Sequence, residues 1–366
     1  MSVGAKTPAE HWTEHASERV VGRLTEVPLS ERDAILAGPK DSATHARWFD
    51  AIDALRQIEV GGAAPRREEL PGAARVMFWN TERLRAIDGI EATVRAEAVD
   101  LCLFSEVDRG MARSGNIDCL SVFAARMGWG YAYGVEVIEL GLGSPKEIGP
   151  LVGQANALGF HGGALVTDLR LHRPFLCRIE RAGGWFDGSR REPRVGGTIA
   201  LGAQVTIAGM PVTVVEAHLD NYASPAGRAD EVRTLLRHIE SYDSVAPVLI
   251  GGDFNTSSAS FEERWGDRAA WLRRVEREPD LLLHPEKYEP LFGLMAEAGF
   301  DWEGCNVPGQ PTFPTGDDDR PRAKLDWFFT RGLEASNPSI ISAVGADGDL
   351  CSDHDAIAVT VGPGKP

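Results

Sequence analysis

APVLIGGDFN, residues 246–255, is an apolar run that ends in polar side chains. Val248, Leu249 and Ile250 suit a strand buried on both faces. Gly251 and Gly252 let the backbone turn tightly, and strand alternation can aim Asp253 and Asn255 at one cleft. Five more runs belong with it: ARVMFWNTE (74–82), VDLCLFSEV (99–107), VTVVEAHLD (212–220), AKLDWFFT (323–330) and SDHDAIAVTV (352–361). Four of the six close on polar residues, the strand ends at which α/β sheets display reactive side chains. In the last two, Asp326 and the Asp353–His354 pair open the run instead. Strands entering the same region from both directions predict mixed sheets in a layered sandwich rather than a barrel. Residues 224–242, with Val232, Leu235, Leu236 and Ile239 on one face, and residues 289–300 read as helices between them.

The first 60 residues have a different texture. HARWFDAIDALRQIEV (45–60) places Trp48, Ile52, Leu55 and Ile58 at helical spacing, and residues 61–74 form a Gly/Pro/charge-rich linker. The expected division is a helical extension and linker over 1–70 and a catalytic domain over 71–366, with the extension packed on that domain. The 366 residues are 43% hydrophobic and 25% charged, enough for a sizeable core. The five cysteines are scattered and suggest neither a zinc site nor a disulfide framework. The N-terminal stretch has no apolar core, no segment is long enough to span a membrane, and the cytoplasm is the expected compartment. A formal charge of -16 opposes nonspecific binding to polyanions unless a cation bridges the two.

Chemistry-bearing residues sit at the run ends. Asn80 and Glu82 follow the first run, and Glu106 follows LFS. Burying an unpaired carboxylate costs several kcal/mol, so Glu106 needs a cation or donors beside it. His218 and Asp220 end VTVVEAHLD, and Asp326 is embedded in apolar residues. Carboxylates and amides are the hard oxygen ligands that Mg2+ prefers, with Mn2+ able to substitute, and no Cys–His cluster offers a softer site. Oxygen ligands together with two histidines point to phosphoryl transfer to water.

In order, WNTE, SEV, GFHGGALV, EAHLD, GGDFN, TF…KLDWFF and SDHD resemble the motifs of the endonuclease/exonuclease/phosphatase superfamily, from about Arg75 to Val361. The resemblance implies an α/β fold, a four-layer α/β sandwich of two mixed β-sheets flanked by helices, here with a helical N-terminal extension. It implies that Glu106 is the main metal ligand, with Asn80 alongside, Glu82 near a second metal position and Asp353 adding acidity. Asp253 would position or deprotonate the attacking water, which Asn255 would help hold. His218 and His354 would stabilise the transition state, and Asp326 would orient His354. Thr312 would support the loop beneath the phosphate. The chain departs from the pattern at Gly163, where many members carry Asn, and at Glu231 in the helix after HLD.

The expected activity is divalent-metal-dependent hydrolysis of a small or lipid-linked phosphate ester, by a phosphodiesterase or phosphatase. Alternatives are a metal-dependent nuclease and a non-enzymatic binding module on the same fold. Nucleic acid is the less favoured partner. Residues 256–290 are bulky and mixed in charge, suited to capping a pocket, and Asp317, Asp318 and Asp319 would face a phosphate backbone unfavourably. Against this, Trp185 with Arg190, Arg191 and Arg194 could stack on bases and grip phosphates.

Overall fold

Alternation along residues 76–80 explains the layers. Val76 and Phe78 point into one apolar cluster while Met77 and Trp79 point into another, so every side chain of the segment is buried. Leu101 and Leu103 alternate with Cys102 and Phe104 in the same way. The computed structural model describes residues 16–179, 184–190, 192–316 and 320–364. Asp317, Asp318, Asp319, Arg191, His11 and His15 lie outside them.

Among the described residues the strands are β1 (Val20–Val21), β2 (Ile58–Gly62), β3 (Ala74–Arg83), β4 (Leu101–Arg109), β5 (Gly130–Glu139), β6 (Phe160–Thr167) and β7 (His172–Arg178). They continue with β8 (Arg194–Gly196), β9 (Ile199–Ile207), β10 (Met210–His218), β11 (Val248–Asp253), β12 (Asp326–Arg331), β13 (Leu333–Ile341) and β14 (Ala356–Pro363). The larger sheet runs β1-β2-β5-β6-β4-β3-β14-β13, with β8 also on β5, and the smaller runs β12-β11-β10-β9-β7. Both are mixed: β3 and β4 are parallel, as are β10 and β11, among antiparallel neighbours.

The inner faces meet through Val76, Phe78, Leu103 and Leu165 of the larger sheet and Leu201, Val214, Leu249 and Phe328 of the smaller. Helices Leu29–Ala37, Ser42–Ala51, Ile87–Ala96 and Cys119–Met127 bury Ile35, Phe49, Ile90 and Phe123 with the outer residues of the larger sheet. Helices Pro225–Tyr242 and Pro290–Glu297 cover the smaller sheet with Val232, Leu235, Ile239, Phe292 and Met295. The first of these starts cleanly because Pro225 follows Ser224, whose hydroxyl accepts from the Gly227 amide. The result is the four-layer sandwich expected of the sequence.

Residues 45–60 differ from their helical spacing. The helix stops at Ala51, a 3-10 turn covers Asp53–Arg56, and Ile58–Gly62 pairs antiparallel with β5. Ladder hydrogen bonds to a neighbouring strand, with β-branched Ile58 and Val60 in place, override the local period. Ile35, Leu55 and Ile58 are fully buried, so this segment belongs to the sandwich's packing.

Ile35→Ala should therefore cost about 2–5 kcal/mol, read as a lower midpoint in denaturant unfolding. A midpoint equal to that of the parent chain would show that the segment is not packed as described.

Candidate active site

β10 and β11 run parallel and end at the same side, whereas β12 is antiparallel to β11 and begins there. His218, Asp253 and Asp326 consequently fall in register on one rung across three strands. That antiparallel start is why Asp326 opens its apolar run instead of closing it. Two of the three, Asp253 and Asp326, are almost completely buried.

The facing sheet supplies the opposite wall. β3 and β4 lose register between Asn80 and Arg83, and β4 and β6 between Phe104 and Val107. Glu82, Arg83 and Leu84 have φ of 42°, 80° and 54°, and Glu106 has φ of 54°. Bulged, left-handed positions in non-glycine residues are costly, and here Glu82, Arg83 and Glu106 leave the ladder for the cleft while Leu84 turns into the core. Glu106 accepts from Arg83 on one oxygen and from the Asn80 amide at 3.3 Å on the other.

One carboxylate oxygen collects the site. Asp253 Oδ2 accepts from Asn80 Nδ2 at 3.2 Å and lies 3.8 Å from His218 Nε2 and 3.7 Å from His354 Nε2. Its Oδ1 accepts from the Asn255 amide at 2.9 Å, while Asn255 Nδ2 donates to the Leu219 carbonyl. His354 Nδ1 is 2.9 Å from Asp326 Oδ2, and His218 Nδ1 is 3.2 Å from Glu136 Oε2. Each ring thus has a carboxylate behind it and presents its other nitrogen to Asp253. Thr312 Oγ1 accepts from the amides of Leu325 and Asp326, fixing the entry to β12.

Electrostatics follow from this crowding. Burial and Asp326 push Asp253 up to about 6, against the two histidines. Burial opposes charging His354, but Asp326 and then Asp253 raise it to about 10. His218 is likewise held charged against burial, chiefly by Glu136. Arg83 keeps Glu106 well below the usual carboxylate range despite burial. Burial and the neighbouring Asp353 raise Glu82.

Asn80, Glu82, Glu106, His218, Asp253, Asn255, Asp353 and His354 line one cleft of about 900 Å³, with Asp326 behind His354. Glu82 pairs with Arg85 and Asp353 with Arg320. His161 also reaches the cleft, but its Nδ1 is held by Asp108, itself bound by Arg113. Sequence reasoning passed over Glu136 and Arg83. Glu136 gave the same signal as Glu106, a carboxylate in the apolar stretch GYAYGVEVIE, but it lies within a strand instead of at its end. Tyr222, Phe261, Trp265, Arg264 and Arg268 also line the cleft, the last four from the 256–290 insertion.

The donor set fits a hard divalent cation. Glu106, Glu82 and Asp353 bring carboxylates of like charge to one region, with the Asn80 amide beside them. Among the described residues, Asp253, Asp326 and His354 also offer donor atoms within 4.8 Å of one another. The Asp326–His354 hydrogen bond already engages two members of that trio.

The endonuclease/exonuclease/phosphatase family model matches residues 77–354. No curated protein matches the chain significantly. Among solved structures, an endonuclease/exonuclease/phosphatase from Beutenbergia cavernae DSM 12333 is 16% identical, with a TM-score of 0.56 over 80% of this chain and 72% of that one. The catalytic domain of human Nocturnin, solved with a bound sulfate anion, is 15% identical with a TM-score of 0.53, over 84% of this chain and 97% of that one. A conserved protein of unknown function from Enterococcus faecalis V583 is 14% identical with a TM-score of 0.51, over 79% and 100% respectively. At these identities the structures share the fold.

Gly163 has a specific neighbour. A Cβ there would lie 2.1 Å from Oε2 of Glu216, a fully buried residue on β10. Neither carboxyl oxygen of Glu216 has a hydrogen-bond partner among the described residues. Burial, reinforced by Glu136, pushes its pKa well above the usual carboxylate range. The folded state therefore keeps a proton that the unfolded chain releases, and stability falls as pH rises above the unfolded carboxylate value near ~4.3. Glu216→Gln should raise the melting temperature, with a larger gain at pH 8 than at pH 5. Gly163→Ala should cost about 1–3 kcal/mol through overpacking. Thermal melts of both variants across pH check this, and a pH-independent Gln effect would refute a protonated Glu216.

Proposed function

Since the chain belongs to the endonuclease/exonuclease/phosphatase family, which includes metal-dependent nucleases and phosphatases, we propose that it hydrolyses a small or lipid-linked phosphate ester by attack of water on phosphorus. The observation that carries this is the shared carboxylate oxygen of Asp253, approached by the Asn80 amide and by two imidazoles.

In this reading Asp253 takes the proton of the attacking water, and its pKa of about 6 suits a base working near neutral pH. Asn255 fixes the Asp253 carboxylate through its backbone amide and the adjoining loop through its side chain. His354 and His218, held charged by Asp326 and Glu136, donate to phosphoryl oxygens as negative charge builds on them. Glu106, Asn80, Glu82 and Asp353 would hold Mg2+, for which Mn2+ can substitute. When bound, the cation supplies Lewis-acid polarisation of the phosphate. The division at residue 70 belongs to the same proposal in the sense that every residue assigned to the chemistry follows it, while the preceding segment contributes β1, β2 and packing to the larger sheet.

Two features support a small ester over nucleic acid. The net charge of -16 opposes the counterion-release contribution that dominates nucleic-acid affinity. The 256–290 insertion folds into helices Phe261–Trp265, Arg268–Arg277 and Asp280–Leu283, and its residues Phe261, Trp265, Trp271 and Leu282 line the cleft, which suits a wall around a compact ligand. Among the described residues, no helix is long and apolar enough to cross a membrane.

Asp253→Asn and His354→Ala should each lower kcat about 10²–10⁴-fold, and exhaustive chelation should abolish turnover. The rate should climb with pH through about 6, as Asp253 loses its proton, and decline near 10, as His354 loses its own. Near-normal turnover in either folded variant, or after chelation, would remove the mechanism.

The substrate assignment is checked by comparative hydrolysis at fixed Mg2+ and salt. Phosphodiesters, phosphomonoesters and phospholipids should be cleaved in preference to duplex and single-stranded oligonucleotides. Efficient cutting of oligonucleotides with the small esters left intact would replace this reading with a nuclease.

A further inference from the structure

Six arginines line the cleft: Arg83, Arg190, Arg194, Arg264, Arg268 and Arg320. Four of them are neutralised in place. Arg83 pairs with Glu106, Arg190 with Asp220 at 2.9 Å, Arg194 with Glu139 at 2.8 Å and Arg320 with Asp353 at 3.3 Å. Arg264 and Arg268, four residues apart in the insertion, form no ion pair with a described carboxylate. Arg264 donates to the Asn221 carbonyl, and its buried Nε has no acceptor among the described residues. The nearby Glu289 is already committed, holding Arg228 at 2.5 Å and the Ser258 amide at 2.8 Å. Burial and the proximity of Arg228 lower Arg264 to about 10. Arg268 lies 4.5 Å over the Trp265 ring.

Arg264 and Arg268 line the cleft without an ion-paired carboxylate among the described residues, and an incoming anion would supply the missing counter-charge. We propose that Arg264 and Arg268 form an anion subsite, which recognises a second negative group, a phosphate or a carboxylate, on a small phosphate ester; this rests on the phosphoesterase reading above. The substrate would then place its reacting phosphate at Asp253 and the histidines and its second anion against the insertion.

The aromatic residues of this wall favour such a ligand over a nucleic-acid strand. Tyr222 stacks on Phe261 at 4.0 Å and is covered by Arg190 at 4.2 Å. Trp185 packs edge-on against Tyr222 at 5.1 Å, with Arg190 and Arg194 at 5.0 and 4.5 Å. Trp265 lies against Phe261 at 6.1 Å and beneath Arg268. Rings packed on one another and on guanidinium groups brace the arginines. They do not present a series of free faces for successive bases.

The experiment compares the parent chain, Arg264→Gln and Arg268→Ala in Mg2+ on a single-stranded oligonucleotide and on three esters. The esters are p-nitrophenyl methyl phosphate and its analogues in which methyl is replaced by a 2-phosphoethyl or a 2-carboxyethyl arm. The parent chain should prefer at least one doubly anionic ester. Each variant should reduce that preference, as a ratio of kcat/KM values, about 10–100-fold. The 2-phosphoethyl and 2-carboxyethyl arms show which anion the subsite takes. Arg268 is partly exposed, so its variant keeps the test interpretable if Arg264→Gln fails to fold. Turnover with no preference in the parent, or with a preference that both variants retain, overturns the subsite alone. Absence of turnover on every ester removes the phosphoesterase reading, and the subsite with it. Selective cleavage of a single-stranded oligonucleotide, lost in the variants, would reassign these arginines to a nucleic-acid backbone.

Discussion

A carboxylate with 2% exposure is tolerable only if its surroundings compensate its charge, and Asp253 organises the site because of that requirement. Asn80 reaches it from the larger sheet, His218 from β10 and His354 from the approach to β14. These donors come from distant parts of the chain and converge only when both sheets are assembled. Asp326 and Glu136 are the next requirement, since a charged buried imidazole needs a carboxylate of its own. The arrangement alternates in sign outward from one oxygen, and removal of any member leaves a neighbour uncompensated.

The parts of the fold legible in the sequence were those set by short-range pattern. Fully apolar runs such as 76–79 signal strands covered on both faces, and their polar ends mark the cleft. The opposite placement of Asp326 was enough to expect mixed strand directions, and the antiparallel β11–β12 pair bears this out. Ile58 shows where the pattern fails: helical spacing is satisfied locally, but pairing with β5 is a long-range event that spacing does not encode. The site was legible where a carboxylate stood out against apolar neighbours, as Glu106 and Asp253 do. Glu136 and Glu216 stood out equally. They were passed over because polar residues inside strands read as background until the facing strand is known. The partner of Arg83 was unreadable for another reason, since three successive left-handed residues direct it.

Net charge and local charge point in different directions in this molecule. The chain carries -16 overall, yet six arginines line the cleft, four of them matched one for one by carboxylates. A global repulsive field with locally paired cations disfavours long polyanions, whose binding depends on many summed contacts, more than compact anions that meet a few oriented donors. The insertion carrying Arg264 and Arg268 also has its own small apolar cluster, in which Trp271, Leu281 and Leu282 meet Ala323 and Leu325 next to Asp326. Residues of the insertion that line the cleft are thereby seated on the same loop that leads into β12.

The rung formed by His218, Asp253 and Asp326 has a consequence for how the protein opens and closes. Adjacent strands hold these residues roughly 4.8 Å apart through backbone hydrogen bonds in the smaller sheet, not through loop conformation. Fluctuations that free the rim, including the insertion, leave the rung intact, because local opening draws on elements with few buried contacts. The rung residues and the central strands should therefore exchange their amide hydrogens as one cooperative unit. Sequence change in the rim can then reshape the cleft without softening the geometry of the rung, whereas loosening the sheet disturbs both at once.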